Sequence, residues 1–171
     1  MKNYKIILSA ALLTLSACSV NHVKNTSAGS DSAKNESPAA SPGLFAKMQI
    51  KPTIKIGEAV ELKFTVYNDA DTARQFCKWH TPFEPLMSKY LDVKDASGQE
   101  MLYKGAMAKR IMPPPASSYI KVNPKDSLSA TVDLLKAYDI SKPSKYTVIY
   151  VGQNMSGVTV KDSIEFVYGE K

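Results

Sequence analysis

The chain has 171 residues, with 22 Lys and Arg against 16 Asp and Glu and a formal net charge of +6. This length supports one domain with a real core plus a tail, and the mild basic excess excludes the dense cationic stripe of a nucleic-acid binder. With only two histidines and two cysteines, little is available for nucleophilic or metal chemistry.

Lys2 and Lys5 precede an apolar run, residues 6–15, that closes in Leu15-Ser16-Ala17-Cys18. A basic start, a short apolar stretch and small residues before a cut describe a secretory signal over residues 1–17, too short for an ordinary transmembrane span. The Leu-Ser-Ala-Cys ending resembles the lipobox of bacterial lipoproteins. The resemblance implies a diacylglyceryl thioether on Cys18, cleavage before it and acylation of the new amine. Several acyl chains, at about 0.8 kcal/mol per buried CH₂, would hold the protein on a bilayer. An aspartate after the cysteine resembles an inner-membrane retention signal; Ser19 stands there instead, which points to the outer membrane. The alternative is an ordinary cleaved signal with a cysteine by chance. If Cys18 carries lipid, Cys77 has no partner in the chain and is expected to be a buried, unpaired thiol.

The lipidated cysteine and the Ser-, Ala-, Asn- and Lys-rich stretch after it, residues 18–43, hold only two branched aliphatics, Val20 and Val23. Such a segment cannot bury enough apolar surface to offset chain entropy and is expected to be a disordered tether, typically spanning roughly 25 to 30 Å.

Residues 44–171 read as the folded domain. Leu44, Ala46, Met48 and Ile50 alternate with polar residues, and Val60, Leu62, Phe64 and Val66 do so again, ending at Asn68-Asp69. Residues 76–79 read as another strand. Residues 90–94 and 99–103, joined by Ser97-Gly98, read as a hairpin. Residues 119–122 turn at Asn123-Pro124-Lys125-Asp126 into a strand through Leu128, Ala130, Val132 and Leu134, followed by a short helical turn over 134–138. Strands over 146–150 and 163–168 complete the set, with an exposed turn at 152–157. About seven to eight short strands with little helix describe an all-β, antiparallel β-sandwich. Tyr146, two residues before Val148 and following a polar loop, fits the tyrosine corner of immunoglobulin-like domains, with Trp79 as the large buried aromatic of a central strand. Tyr146 as a plain β-former at a strand start is the alternative.

No His-Glu-x-x-His, Cys-x-x-Cys, Gly-x-x-x-x-Gly-Lys or Gly-x-Ser-x-Gly pattern occurs. Cys77, His80 and Glu84 are the sharpest metal alternative, on a segment broken by Pro82 and Pro85 and short of a fourth ligand. The expectation is no catalysis, no cofactor and no metal. What remains is surface: the loop Lys78-Trp79-His80-Thr81-Pro82-Phe83-Glu84, and a long connection over 104–115 with three cations, two methionines and a proline run. Prolines hold such a piece extended and preorganised for docking. Its alternative is an ordinary crossover with Ile111 and Met112 packed inward.

Several of these segments, in order, resemble the immunoglobulin-like pro-region of deuterolysin-type and peptidyl-Lys zinc metalloendopeptidases. They are Lys78-Trp79-His80-Thr81-Pro82-Phe83-Glu84 with Tyr90-Leu91-Asp92-Val93, then Tyr103-x-Gly105 with Lys109-Arg110, then Leu128-Ser129-Ala130-Thr131-Val132-Asp133-Leu134, Ala137-Tyr138-Asp139-Ile140-Ser141 and Tyr146-Thr147-Val148. The likeness covers residues 48–150. Two positions depart: Ser144 stands where the family has glycine and Cys77 where it has leucine. The protease's zinc motif is not in this sequence. The resemblance implies a chaperone- or inhibitor-like protein-binding module, with Trp79, His80, Pro82, Phe83, Lys109 and Arg110 as contact residues and an exported peptidase as partner. The alternatives are an accessory envelope lipoprotein with no protease link, or an enzyme that depends on His80.

Overall fold

The computed structural model describes residues 43–169; the signal, Cys18 and the tether lie outside them. Among the described residues nine strands form three sheets. The strands are β1 (Leu44–Gln49), β2 (Thr53–Lys55), β3 (Glu61–Asn68), β4 (Arg74–Cys77), β5 (Leu91–Lys94), β6 (Tyr119–Val122), β7 (Ser127–Asp133), β8 (Ser144–Tyr150) and β9 (Ile164–Gly169). One sheet runs β1-β3-β7, the second β2-β9-β8-β5, and β4 pairs with β6. The chain is an all-β sandwich, as the alternation of apolar and polar residues requires.

The period-two runs set the layers. Leu62, Phe64 and Val66 of β3 are fully buried and meet Val148, Tyr150 and Phe166 of the facing sheet in one core. The rings of Phe64 and Tyr150 bridge the two layers at 5.2 Å. Burying each such side chain is worth about 1.5–3 kcal/mol. This core runs from Leu44 to Tyr168 among the described residues. Among the described residues, no helix is long and apolar enough to cross a membrane.

The tyrosine corner is present: Tyr146 Oη donates to the Lys142 carbonyl at 2.7 Å. Asn68, which ends β3, is buried; its Nδ2 lies within reach of the carbonyls of Thr72, Val122 and Asn123, and its Oδ1 accepts from the Ala70 N–H. It ties the ends of three segments together, because a buried amide must spend its donors and acceptor inside the protein.

The structure corrects or refines five details. A ninth strand, β2, follows Pro52, where the chain leaves the β1 sheet and joins β9 in parallel. β4 ends at Cys77, so Trp79 is buried beyond a strand and not on one. Residues 99–103 do return along β5, with Asp95 N–H on the Gln99 carbonyl, Met101 N–H on that of Val93 and a Lys94–Glu100 bridge, but form no named strand, and Tyr103 bridges to Tyr138 instead. β6 and β7, joined by the Asn123–Asp126 turn, do not pair with each other; β6 goes to β4 and β7 to β3. The stretch after β8 is α1 (Gln153–Ser156), a single helical turn with Gly152 and Ser156 buried, because Ser156 Oγ bonds Tyr150 Oη at 2.7 Å.

Candidate functional site

The loop after β4 is built by its own side chains. Thr81 Oγ1 donates to the Lys78 carbonyl at 2.6 Å and accepts from the Phe83 N–H at 3.2 Å, closing a tight turn. His80 is left-handed, at φ 60. Its N–H donates to Glu84 Oε1 at 3.1 Å, and its carbonyl accepts from Tyr150 Oη at 3.0 Å. Gly152 lies directly beneath: a Cβ there would stand 2.8 Å from Tyr150 Oη and closer still to the His80 oxygen. Phe83 packs edge-on against Phe76 at 5.1 Å.

Glu84 then reaches the second segment. Arg110 Nη2 donates to Glu84 Oε1 at 2.7 Å, and the two side chains are 17% and 5% exposed. The Arg110 guanidinium lies 4.7 Å from the centre of the Trp79 ring, a cation–π contact. One carboxylate oxygen thus accepts from both the loop backbone and the arm's guanidinium. The base of the arm is fixed as well. Lys104 N–H donates to the Ala137 carbonyl, and Ala108 N–H to that of Met87 at 2.8 Å. The Tyr103 hydroxyl lies within reach of the carbonyls of Ala106 and Leu86, and its ring lies across Gly105, leaving no room for a side chain there.

The rest of the arm stands in solvent. Ile111 is 85% exposed, Met107 70%, Leu102 67% and Met112 51%. Ile111 and Met112 therefore do not pack inward. Lys109 is exposed and makes no ion pair among the described residues. The arm thus presents Met107, Ile111 and Met112 with Lys109 to solvent, with Leu102 exposed just before it, above a base held by hydrogen bonds and the Arg110–Glu84 pair.

The chemistry beside it is subdued. Burial pushes the Cys77 thiol above its usual value, and a hydrogen bond from the Trp79 backbone offsets this only in part. An activated nucleophile needs the reverse. Burial, aided by Arg110, holds the His80 imidazole below its ordinary range against the opposing pull of Glu84. Among the described residues no three His, Cys, Asp or Glu side chains gather as a metal site, and the Glu84 carboxylate is engaged by Arg110 and His80.

Of the six contact residues expected from sequence, Lys109 alone is open. His80 and Phe83 are half-buried, Trp79 and Pro82 buried, and Arg110 is turned into its ion pair. The structure brings Trp79, His80 and Arg110 together around Glu84, as the clasp beneath the exposed surface. Sequence reading missed Glu84 as the partner of Arg110. It also missed the outward side chains of Leu102, Met107, Ile111 and Met112; the proline run beside them was the available signal.

No family model matches the chain. An uncharacterized secreted protein of Arthroderma benhamiae is 26% identical over 121 residues, covering 67% of this chain and 62% of that protein. The chain thus spans less than two thirds of that relative's length. A β-glucosidase from Listeria innocua in complex with glucose aligns at a TM-score of 0.40 with 12% identity, over 74% of this chain and 16% of the enzyme. The alkylpurine DNA glycosylase AlkC of Pseudomonas fluorescens aligns at 0.38 with 12% identity, over 74% of this chain and 30% of that one. The ASH / PapD-like domain of human CEP192 aligns at 0.28 with 13% identity, over 91% and 96% of the two chains. At these scores no activity of those proteins carries over.

Proposed function

We propose that this chain is a non-catalytic, lipid-anchored envelope module that binds a protein through the exposed arm over residues 104–115, the partner being an exported zinc metallopeptidase. The observation that carries the reading is the arm: Met107, Ile111 and Met112, with Leu102 just before them, stand in solvent beside a base held by the Arg110–Glu84 pair. A flexible segment with the same residues would lose more entropy on docking and bind less well. The likeness to a metallopeptidase pro-region supports the partner class, and the lipobox-like Leu15-Ser16-Ala17-Cys18 supports anchoring at the outer membrane. Secretion of the fungal relative agrees with an exported chain.

The test is a proteolysis assay with purified deuterolysin-type endopeptidases, titrated with this protein. Saturable inhibition, or faster recovery of activity on refolding, is the expected result. No binding and no effect on any such enzyme would overturn the reading. Mass spectrometry of the mature N-terminus tests the anchor separately: the expected mass is that of an acylated Cys18.

A further inference from the structure

We propose that the outer edge of β7 pairs with β7 of a second copy of this chain, antiparallel about a dyad at Ala130. Within its sheet β7 is bonded to β3 alone, in an unbroken register from Glu61–Asp133 to Tyr67–Ser127. β6, its neighbour in sequence, has been taken by β4. The other edge strands of the two larger sheets, β1, β2 and β5, are guarded. β2 is three residues long and follows a proline. The outer side of β1 is met by Thr159, whose carbonyl accepts from the Ala46 N–H at 2.8 Å. β5 is crossed by the return segment, with Met101 N–H on the Val93 carbonyl. β7 has none of these devices: seven residues, Ser-Leu-Ser-Ala-Thr-Val-Asp, with no proline, lysine or bulge.

Its side chains match a second copy of themselves. Leu128, Ala130 and Val132 face the core side but remain partly exposed, so the inner face stays open where a fourth strand would stand. In an antiparallel pair about Ala130, Leu128 stands opposite the second copy's Val132, and Ser129 opposite its Thr131. The first is an apolar cross-strand pair and the second a hydroxyl pair. The ends match in charge. Asp126 precedes the strand and Lys136 follows it; both are exposed and lack an ion pair among the described residues. In this register Asp126 stands opposite the second copy's Leu134, two residues from its Lys136, at both ends, whereas parallel pairing would bring like charges together. A two-fold interface asks for this self-complementarity. No residue of the arm takes part, so the inference stands apart from the proposed function.

The experiment uses residues 19–171, which keep every described residue and leave buried Cys77 as the single cysteine. Sedimentation equilibrium is expected to show a monomer–dimer equilibrium, and the Ser129→Glu/Thr131→Glu variant is expected to stay monomeric at the same concentrations. In that variant each new carboxylate opposes another across the dyad; the one at 131 gains Lys63, its partner on β3, while the one at 129 gives up the Ser129 bond to Thr65 at 2.8 Å, so a modestly lowered but still cooperative melt verifies that the fold is kept. A short bismaleimide should cross-link Ala130→Cys into dimers but not Lys63→Cys, one strand further in. A wild-type chain that stays monomeric up to near-millimolar concentration would overturn the proposal. So would a dimer that survives unchanged in the double-Glu variant, or cross-links equally well at position 63.

Discussion

Glu84 decides the state of the clasp, because it joins the His80 backbone to a guanidinium that is itself mostly buried. Removing one partner of a buried pair leaves the other charge uncompensated, which costs more than the pair contributes. Glu84→Gln is therefore expected to lower stability by about 2–4 kcal/mol in chemical denaturation. The Glu84→Gln/Arg110→Met double variant should recover much of that, since methionine refills the space against Trp79 without a charge. A double variant no better than Glu84→Gln alone would show that the guanidinium is not the group left stranded. Tyr90 offers the opposite case. Its hydroxyl is buried without a partner among the described residues, so Tyr90→Phe should leave stability unchanged or raise it by about 1 kcal/mol.

His80 gives the protein a pH dependence of known sign. Its imidazole titrates below the ordinary 6.5 in the folded chain, so the unfolded chain binds a proton more readily than the folded one. The contribution to stability is complete above 6.5 and is lost as pH falls through the lower, folded value. Melting temperature should thus drop between neutral pH and mild acid. His80→Asn, which tolerates the left-handed backbone at this position, should flatten that part of the profile. An unchanged slope would place its origin in the carboxylates.

Among the elements, the long alternating runs were legible because a strand with one buried face must repeat every two residues. Leu62-Phe64-Val66 and Tyr146-Val148-Tyr150 are the clearest cases, and both build the core. β2 was not legible: three residues carry no period, and its parallel partner lies over a hundred residues away. The turn over Gln153–Ser156 misled in the same way, since its buried serine answers a tyrosine on β8 and not a local pattern. The clasp sat between these cases. Trp79, His80 and Arg110 stood out in the sequence, but nothing local relates Glu84 to a guanidinium 26 residues on. The loop closes over Gly152, which admits the His80 carbonyl only because it has no side chain. Gly152→Ala is expected to cost about 1–3 kcal/mol through that clash, read as a shift in the unfolding midpoint. Tyr146→Phe should cost about 1 kcal/mol by removing the corner hydrogen bond to Lys142.

Taken as a whole, the molecule puts a closed core behind an apolar, cationic arm. Large apolar side chains in solvent are common singly; the proposed docking surface rests on Met107, Ile111 and Met112 standing close together on the arm, with Leu102 just before it. Binding and stability should therefore separate, because the exposed side chains take no part in the core. The direct measurement is a calorimetric titration of a deuterolysin-type endopeptidase with this protein and with its Ile111→Asp/Met112→Asp variant, alongside their melting curves. The account predicts saturable binding by the wild type, weakened at least tenfold in a variant that melts at the same temperature. Equal affinity for the two, or no heat from either, would contradict it.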